Sequence, residues 1–171
     1  MWIRAGLLAI VLALLTFHAP AQACMYAYPI DLADVRKADA VVIGRISNYT
    51  AILDPVIRQT LSEDFPDLSP ERLEILRTRP NFVSDYFRFD LQVDEALRGK
   101  VDPKISITLY GSWIGPPESM PPGPFLTALE RPNSGNPEPG AFRVMQESCS
   151  EPFLFPSTSD EARKVREILH R

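Results

Sequence analysis

The chain has 171 residues, with 18 Lys or Arg against 22 Asp or Glu, and a formal net charge of −4. This balance excludes the basic surface that nucleic-acid phosphates require and disfavours anionic membranes as partners. A chain of this length suits one domain with a single core.

The first 23 residues have the features of a secretory signal peptide. Arg4 supplies a positive charge, residues 5–17 are apolar, and residues 21–23 read Ala-Gln-Ala, with small residues at the cleavage positions. The apolar run is shorter than the roughly 20 residues of a membrane-spanning helix. We therefore predict a periplasmic or secreted protein without a membrane span, whose single mature domain comprises residues 24–171.

The chain has two cysteines, Cys24 and Cys149, so they are the only choice for an intramolecular disulfide. Because export takes them to an oxidising compartment, we predict that they pair. Two alternatives stay open for Cys24, which would be the first mature residue. One alternative is that Cys24 carries a lipid anchor. The other is that Cys24 is part of a metal-binding amino terminus.

Five strands are predicted from β-branched runs and from alternating apolar and polar residues. They are residues 40–46, 87–94, 105–109, 124–129 and 141–145. Gly44 indicates a bulge or sharp bend inside the first strand, and a turn at Leu97-Arg98-Gly99 ends the second. Eight prolines between Pro116 and Pro139 favour a mostly extended surface loop over residues 111–140.

Helices are predicted at three places. Residues 31–37 form a short turn with Asp31 as its cap. Residues 50–85 form a helical insertion between strands, and Ser69 is the N-cap of its second helix.

The last of these places is a helix that closes the chain, with Thr158 as its cap and Glu161 completing a capping box. Five mainly antiparallel strands with a helical insertion and a C-terminal helix favour a mainly β protein with a small OB-like barrel. A β-sandwich is the alternative.

Several short motifs carry a resemblance to a known family. They are residues 38–46, residues 89–93 with the turn at 97–99, Phe125-Leu126, and Cys149-Ser150 ahead of the terminal helix. In these motifs the chain resembles bacterial exported relatives of the tissue inhibitors of metalloproteinases, whose netrin module is an OB barrel.

The resemblance implies a specific role for Cys24. In the animal inhibitors, the mature amino-terminal cysteine is disulfide-bonded, and its α-amino group and carbonyl chelate the catalytic zinc of a target protease. Cys24 would then contact a metal through backbone atoms only, and the metal would belong to a partner protease.

The sequence disfavours an enzyme. After cleavage, His170 next to the carboxy terminus is the only histidine, so a nucleophile with a histidine base is improbable, and we predict no cofactor. Ser112 stands one position too early for a Gly-x-Ser-x-Gly elbow. Asp90 and Asp94 fit a solvated strand face.

Aromatic side chains supply the remaining candidate site. Exposed rings can stack on oligosaccharides or single strands in OB barrels, and the candidates are Tyr26, Tyr28, Tyr86, Tyr110 and Trp113. The predicted binding residues are Cys24, Met25, Tyr26, Tyr110 and Trp113. We predict that the protein is a non-enzymatic binding module that resembles a metalloproteinase inhibitor. Its predicted partner is an extracytoplasmic protein or protease. The alternative is an envelope-associated binder of glycans or small ligands.

Overall fold

A computed structural model of the protein describes residues 29–64, 69–78, 85–110, 119–121, 123–131, 137–147 and 150–171. The chain is mainly β and ends in a helix, which confirms the predicted class and the predicted C-terminal helix.

The described residues contain six strands, a 3₁₀ helix and three α-helices. The strands are β1 (Ala40–Ile52), β2 (Tyr86–Arg98), β3 (Lys104–Tyr110), β4 (Pro124–Glu130), β5 (Phe142–Val144) and β6 (Leu154–Pro156). The helices are the 3₁₀ helix Leu32–Lys37, α1 (Pro55–Asp64), α2 (Pro70–Thr78) and α3 (Asp160–Leu169).

Five of the strands form a ring of pairings. β1 pairs antiparallel with β2 along its length and with β4 over residues 40–45. β3 pairs antiparallel with β2 and parallel with β5, and β5 pairs antiparallel with β4. The order β1-β2-β3-β5-β4 therefore returns to β1.

β6 is a strand that the sequence pattern did not predict. It pairs with β4, with Phe155 opposite Leu126 and Pro156 opposite Phe125. Three residues are too few to show alternation, and a proline at the end of the segment indicates a turn as readily as a strand. The predicted number of five strands was therefore too low by this one.

Gly44 lies where the β2 backbone passes close to β1. The register between them shifts at Ile43 and Gly44, which confirms the predicted irregularity, although the extra residue, Asp94, lies in β2. A Cβ atom at Gly44 would lie 2.3 Å from the backbone oxygen of Gln92. A glycine is required there because the β2 backbone occupies the space of a side chain.

β1 separates two hydrophobic clusters. One cluster draws on all five strands of the ring and includes Phe89, Ile107 and Val144. The other lies between the sheet and the helices and includes Val35 of the 3₁₀ helix and Val165 of α3. Alternate residues at the start of β1 belong to alternate clusters, so this part of the strand is buried on both faces.

Three helix caps were predicted, and two are confirmed. Asp31 Oδ1 accepts a hydrogen bond from the Ala33 N–H at 2.9 Å, and Ser69 precedes α2 with its Oγ 3.4 Å from the Arg72 nitrogen. The predicted Thr158 cap was wrong.

The N-cap of α3 is Ser159, whose Oγ accepts from the Ala162 N–H at 3.2 Å. With Ser159 as cap, the third helical position is Ala162 and not Glu161, so the capping box is not formed. Asp160 and Glu161 instead place negative charge in the first turn, where the helix dipole favours it.

A buried ion pair fixes the ends of the segment that carries α1 and α2. β1 continues to Ile52, which pairs with Tyr86, so the first residues of the predicted insertion belong to the strand. Both guanidinium Nη atoms of Arg58 donate to the Asp85 carboxylate, at 2.7 and 2.9 Å. The Asp54 N–H also donates to Asp85, whose side chain is 1% exposed. Removing either charged partner would leave an uncompensated buried charge.

Replacing Gly44 tests the close contact between β1 and β2. Gly44→Ala places a methyl group against the Gln92 carbonyl, and we expect the free energy of unfolding to fall by about 1–3 kcal/mol, as for other overpacked sites. Ser47→Ala, at an exposed position of the same strand, is the control and should change it by less than about 0.5 kcal/mol. Chemical denaturation measures both values. Equal stabilities of the two variants would contradict the close approach.

Candidate functional site

A cleft of about 720 Å³ lies across β2 and β3. Its borders are residues 48–50 of β1 on one side and residues 138–142, which lead into β5, on the other. The charged residues in its lining are Arg88, Lys104, Asp90, Asp102 and Glu138.

The polar lining follows from strand alternation in β2. Phe87, Phe89 and Leu91 are buried in the cluster shared by the five ring strands. Arg88 and Asp90 therefore point to the opposite face of the sheet. The pairing register brings Asp90 opposite Ser106 on β3, so polar side chains of both strands meet on one outer face.

Asp90 is the centre of a hydrogen-bond network in this cleft. Its carboxylate accepts from Asn48 Nδ2 at 2.8 Å, from Lys104 Nζ at 3.0 Å and from Ser106 Oγ at 3.3 Å. The hydrogen bonds from Lys104 and Asn48 hold the pKa of the Asp90 carboxyl below its usual value. Hydrogen bonds therefore hold Asp90 in its ionised form. The prediction of a solvated strand face did not include these donors, which lie on β1 and β3.

A β-bulge in β1 aims two side chains at the neighbouring strand. Asn48 and Tyr49 together oppose the single residue Phe89, and Asn48 has a φ of 57°, in the left-handed region that asparagine tolerates. The bulge turns Asn48 toward Asp90. The Tyr49 ring stacks on Phe87, with centroids 5.1 Å apart, and burial raises the pKa of its phenol.

A tight turn places Glu138 over the same face. The Ala141 N–H donates to the Glu138 carbonyl at 3.2 Å, with Pro139 and Gly140 between them and a φ of 85° at Gly140. This is the pattern of a type II turn, in which proline fixes the first central residue and glycine accepts the positive φ. The Pro-Gly dipeptide in the predicted loop was the signal that could have located it.

Glu138 connects the turn to β2. Its Oε1 accepts from the Tyr86 hydroxyl at 2.9 Å and from Arg88 Nη1 at 3.3 Å. Burial raises the pKa of the Tyr86 phenol, and the hydrogen bond to Glu138 adds to this effect. The turn is therefore held against the sheet by a charged and a neutral donor.

Tyr110 is the predicted binding residue that lies next to this arrangement. It is directly opposite Tyr86 in the register, and the two half-buried rings have centroids 6.4 Å apart, tilted by 47°. Two members of the predicted aromatic surface are thus neighbours.

The other predicted site residues lie outside the described residues. They are Cys24, Met25, Tyr26, Trp113 and Cys149, together with Tyr28 of the aromatic surface. The disulfide, the lipid anchor and the chelating amino terminus therefore stay predictions.

In the described part of the chain, no group of three or more His, Cys, Asp or Glu residues is placed to hold a metal ion. None of the helices described is both long enough and apolar enough to cross a membrane.

Comparison with models of known protein families finds no match for this chain, and comparison with curated proteins finds no related sequence. A function for the cleft therefore follows only from its own geometry and chemistry.

The lowered pKa of the Asp90 carboxyl predicts that the stability of the protein depends on pH. A carboxyl whose pKa is lowered by folding stabilises the protein fully above its unfolded pKa, about 3.9, and this contribution is lost as the pH falls through the lower folded pKa. We expect Asp90→Asn to be less stable than the parent protein at pH 7, with the difference shrinking below about pH 4. Denaturation at several pH values measures this.

The control is Asp102→Asn, which removes one negative charge at an exposed position in the same cleft. A stability difference for Asp90→Asn that is as large at pH 2 as at pH 7 would contradict the role given to the ionised carboxylate.

Proposed function

We propose that this protein is an exported, non-enzymatic binding module with an OB-like barrel, and that it binds a saccharide in the cleft on β2 and β3. The ring order β1-β2-β3-β5-β4 supports the barrel, because a five-stranded Greek-key barrel needs β1 to pair with two neighbours. Export is inferred from the signal-like features of residues 1–23.

The position of the cleft is the main support for saccharide binding. OB barrels bind oligosaccharides and oligonucleotides on the face of their second and third strands, beside the loops that join strands 1–2 and 4–5. The cleft lies on β2 and β3, and the Glu138 turn at its border belongs to the segment between β4 and β5.

The charges in the cleft favour a saccharide over a nucleic acid. Its lining combines the cations Arg88 and Lys104 with three carboxylates, those of Asp90, Asp102 and Glu138. A phosphate backbone would meet more negative than positive charge, whereas a neutral sugar needs both donors and acceptors for its hydroxyl groups. The chain's net charge of −4 likewise disfavours a nucleic acid as ligand.

Tyr86 and Tyr110 add an apolar contact beside these polar groups. A tyrosine ring offers a flat apolar face and a polar tip, which suits a sugar ring with apolar C–H faces and polar edges. Small-ligand sites generally combine such apolar surface with a few placed polar groups.

Inhibition of a metalloproteinase stays a separate prediction of the family resemblance. It depends on Cys24 and on the residues directly after it, which lie outside the described residues. The geometry of the cleft on β2 and β3 does not bear on protease inhibition.

Saccharide binding can be tested with the mature chain and a set of neutral oligosaccharides, namely chito-, cello- and malto-oligosaccharides, first on an array and then by calorimetry. We expect one series to bind and Arg88→Ala to weaken its affinity by about 10- to 100-fold, because a charge-assisted hydrogen bond is worth about 1.5–3 kcal/mol.

Arg98→Ala is the matched control, since Arg98 is an exposed arginine at the far end of the same strand. It should leave the affinity unchanged. Failure to bind any of the three series, or equal losses for the two arginine variants, would overturn the proposed site.

A further inference from the structure

The outer face of β2 and β3 carries two different kinds of binding group at its two ends. The Tyr86–Tyr110 ring pair lies at one end, and the Asp90 network with Lys104 lies at the other. Tyr86 and Asp90 share a face because even-numbered residues of this part of β2 point outward. Four residue steps along a strand span about 13 Å.

Polar side chains of β2 and of the Glu138 turn lie between the two ends and form a strip, with Tyr86 joined to the cleft through Glu138 rather than lining it. Arg88 lies midway along β2, and Glu138 accepts hydrogen bonds from both Arg88 and Tyr86 while lining the cleft. The Arg88 side chain is 48% exposed and that of Lys104 is 60% exposed. A bound molecule can therefore contact aromatic, charged and hydrogen-bonding groups in succession along one strand.

The two ends suit different parts of a saccharide. The half-buried tyrosine rings offer an apolar surface against which a sugar ring can lie. At the other end, the ammonium of Lys104 has three N–H donors and the carboxylate of Asp90 has about four acceptor positions. The network uses three of those acceptor positions, so a ligand hydroxyl can still donate to Asp90 while another accepts from Lys104.

We propose that the ligand is a linear oligosaccharide that lies along β2, with one sugar ring against Tyr86 and Tyr110 and a later unit at Asp90 and Lys104. This proposal rests on the proposed function. A single sugar ring is shorter than the strip of about 13 Å and reaches one end only. Occupying both ends with one molecule makes the second contact intramolecular, which raises the affinity without any new protein group.

The test is a length series of whichever neutral oligosaccharide binds, from one to six units, measured by calorimetry on the mature chain. We expect the association constant to rise by at least about tenfold once the oligomer spans the strip, and then to level off. Tyr110→Ala should abolish the rise, whereas Tyr110→Phe, which keeps the ring, should preserve it. Denaturation curves establish that each variant is folded.

The possible outcomes separate this proposal from the one on which it rests. Binding with the same affinity at every length, or a rise that persists in folded Tyr110→Ala, would overturn the linear two-ended site and leave saccharide binding in place. Absence of binding to every saccharide, or binding of peptides in their place, would overturn the proposed function itself.

Discussion

The pairing of β1 on both of its edges is the constraint on which the structure depends. Over residues 41–45, β1 is paired with β2 on one side and with β4 on the other, and this closes the ring of five strands. The double pairing requires β2 to pass over Gly44, where a Cβ would lie 2.3 Å from a backbone oxygen. Without the pairing of β1 with β4, the ring would open between these two strands, and the shared cluster around Phe89 would open at that side.

The same strand then shapes the cleft through its second half. Beyond Arg45, β1 pairs with β2 alone, and the bulge at Asn48 and Tyr49 turns one side chain toward Asp90 and the other onto Phe87. Asn48 therefore reaches the outer face while Tyr49 covers buried aromatic residues. The ion pair of Arg58 with Asp85 holds the chain between β1 and β2 at the far end of these strands. Most of the site is thus built on paired strands, and the Glu138 turn is held against them by hydrogen bonds from Tyr86 and Arg88, which favours a preformed binding surface.

Local sequence signals predicted what local physics determines. The β-branched run of β1, the irregularity at Gly44 and the caps Asp31 and Ser69 each depend on a few adjacent residues, and the structure confirms them. The predicted cap of α3 was wrong by one residue, because adjacent Thr158 and Ser159 are both residue types that cap helices and the sequence alone does not distinguish them.

The same local signals could not predict contacts between residues that are distant in the sequence. The donors to Asp90 come from strands that lie far apart in the sequence, and Glu138 meets Tyr86 across 52 residues. The parallel pairing of β3 with β5 is likewise set by how the ring closes and not by any residue pattern. Alternation did place Arg88 and Asp90 on one face, but it carries no information on which groups will surround them.

The proposed function depends on saccharide binding to the outer face of β2 and β3. Backbone amide spectra of the isotope-labelled mature chain, recorded during titration with the oligosaccharide that binds, test it residue by residue. Binding at this face predicts chemical-shift changes concentrated at residues 86–90, 104–110 and 138–141. Changes concentrated instead in α3 and the 3₁₀ helix, or at the amino-terminal residues that follow Ala23, with the β2 and β3 amides unaffected, would contradict it.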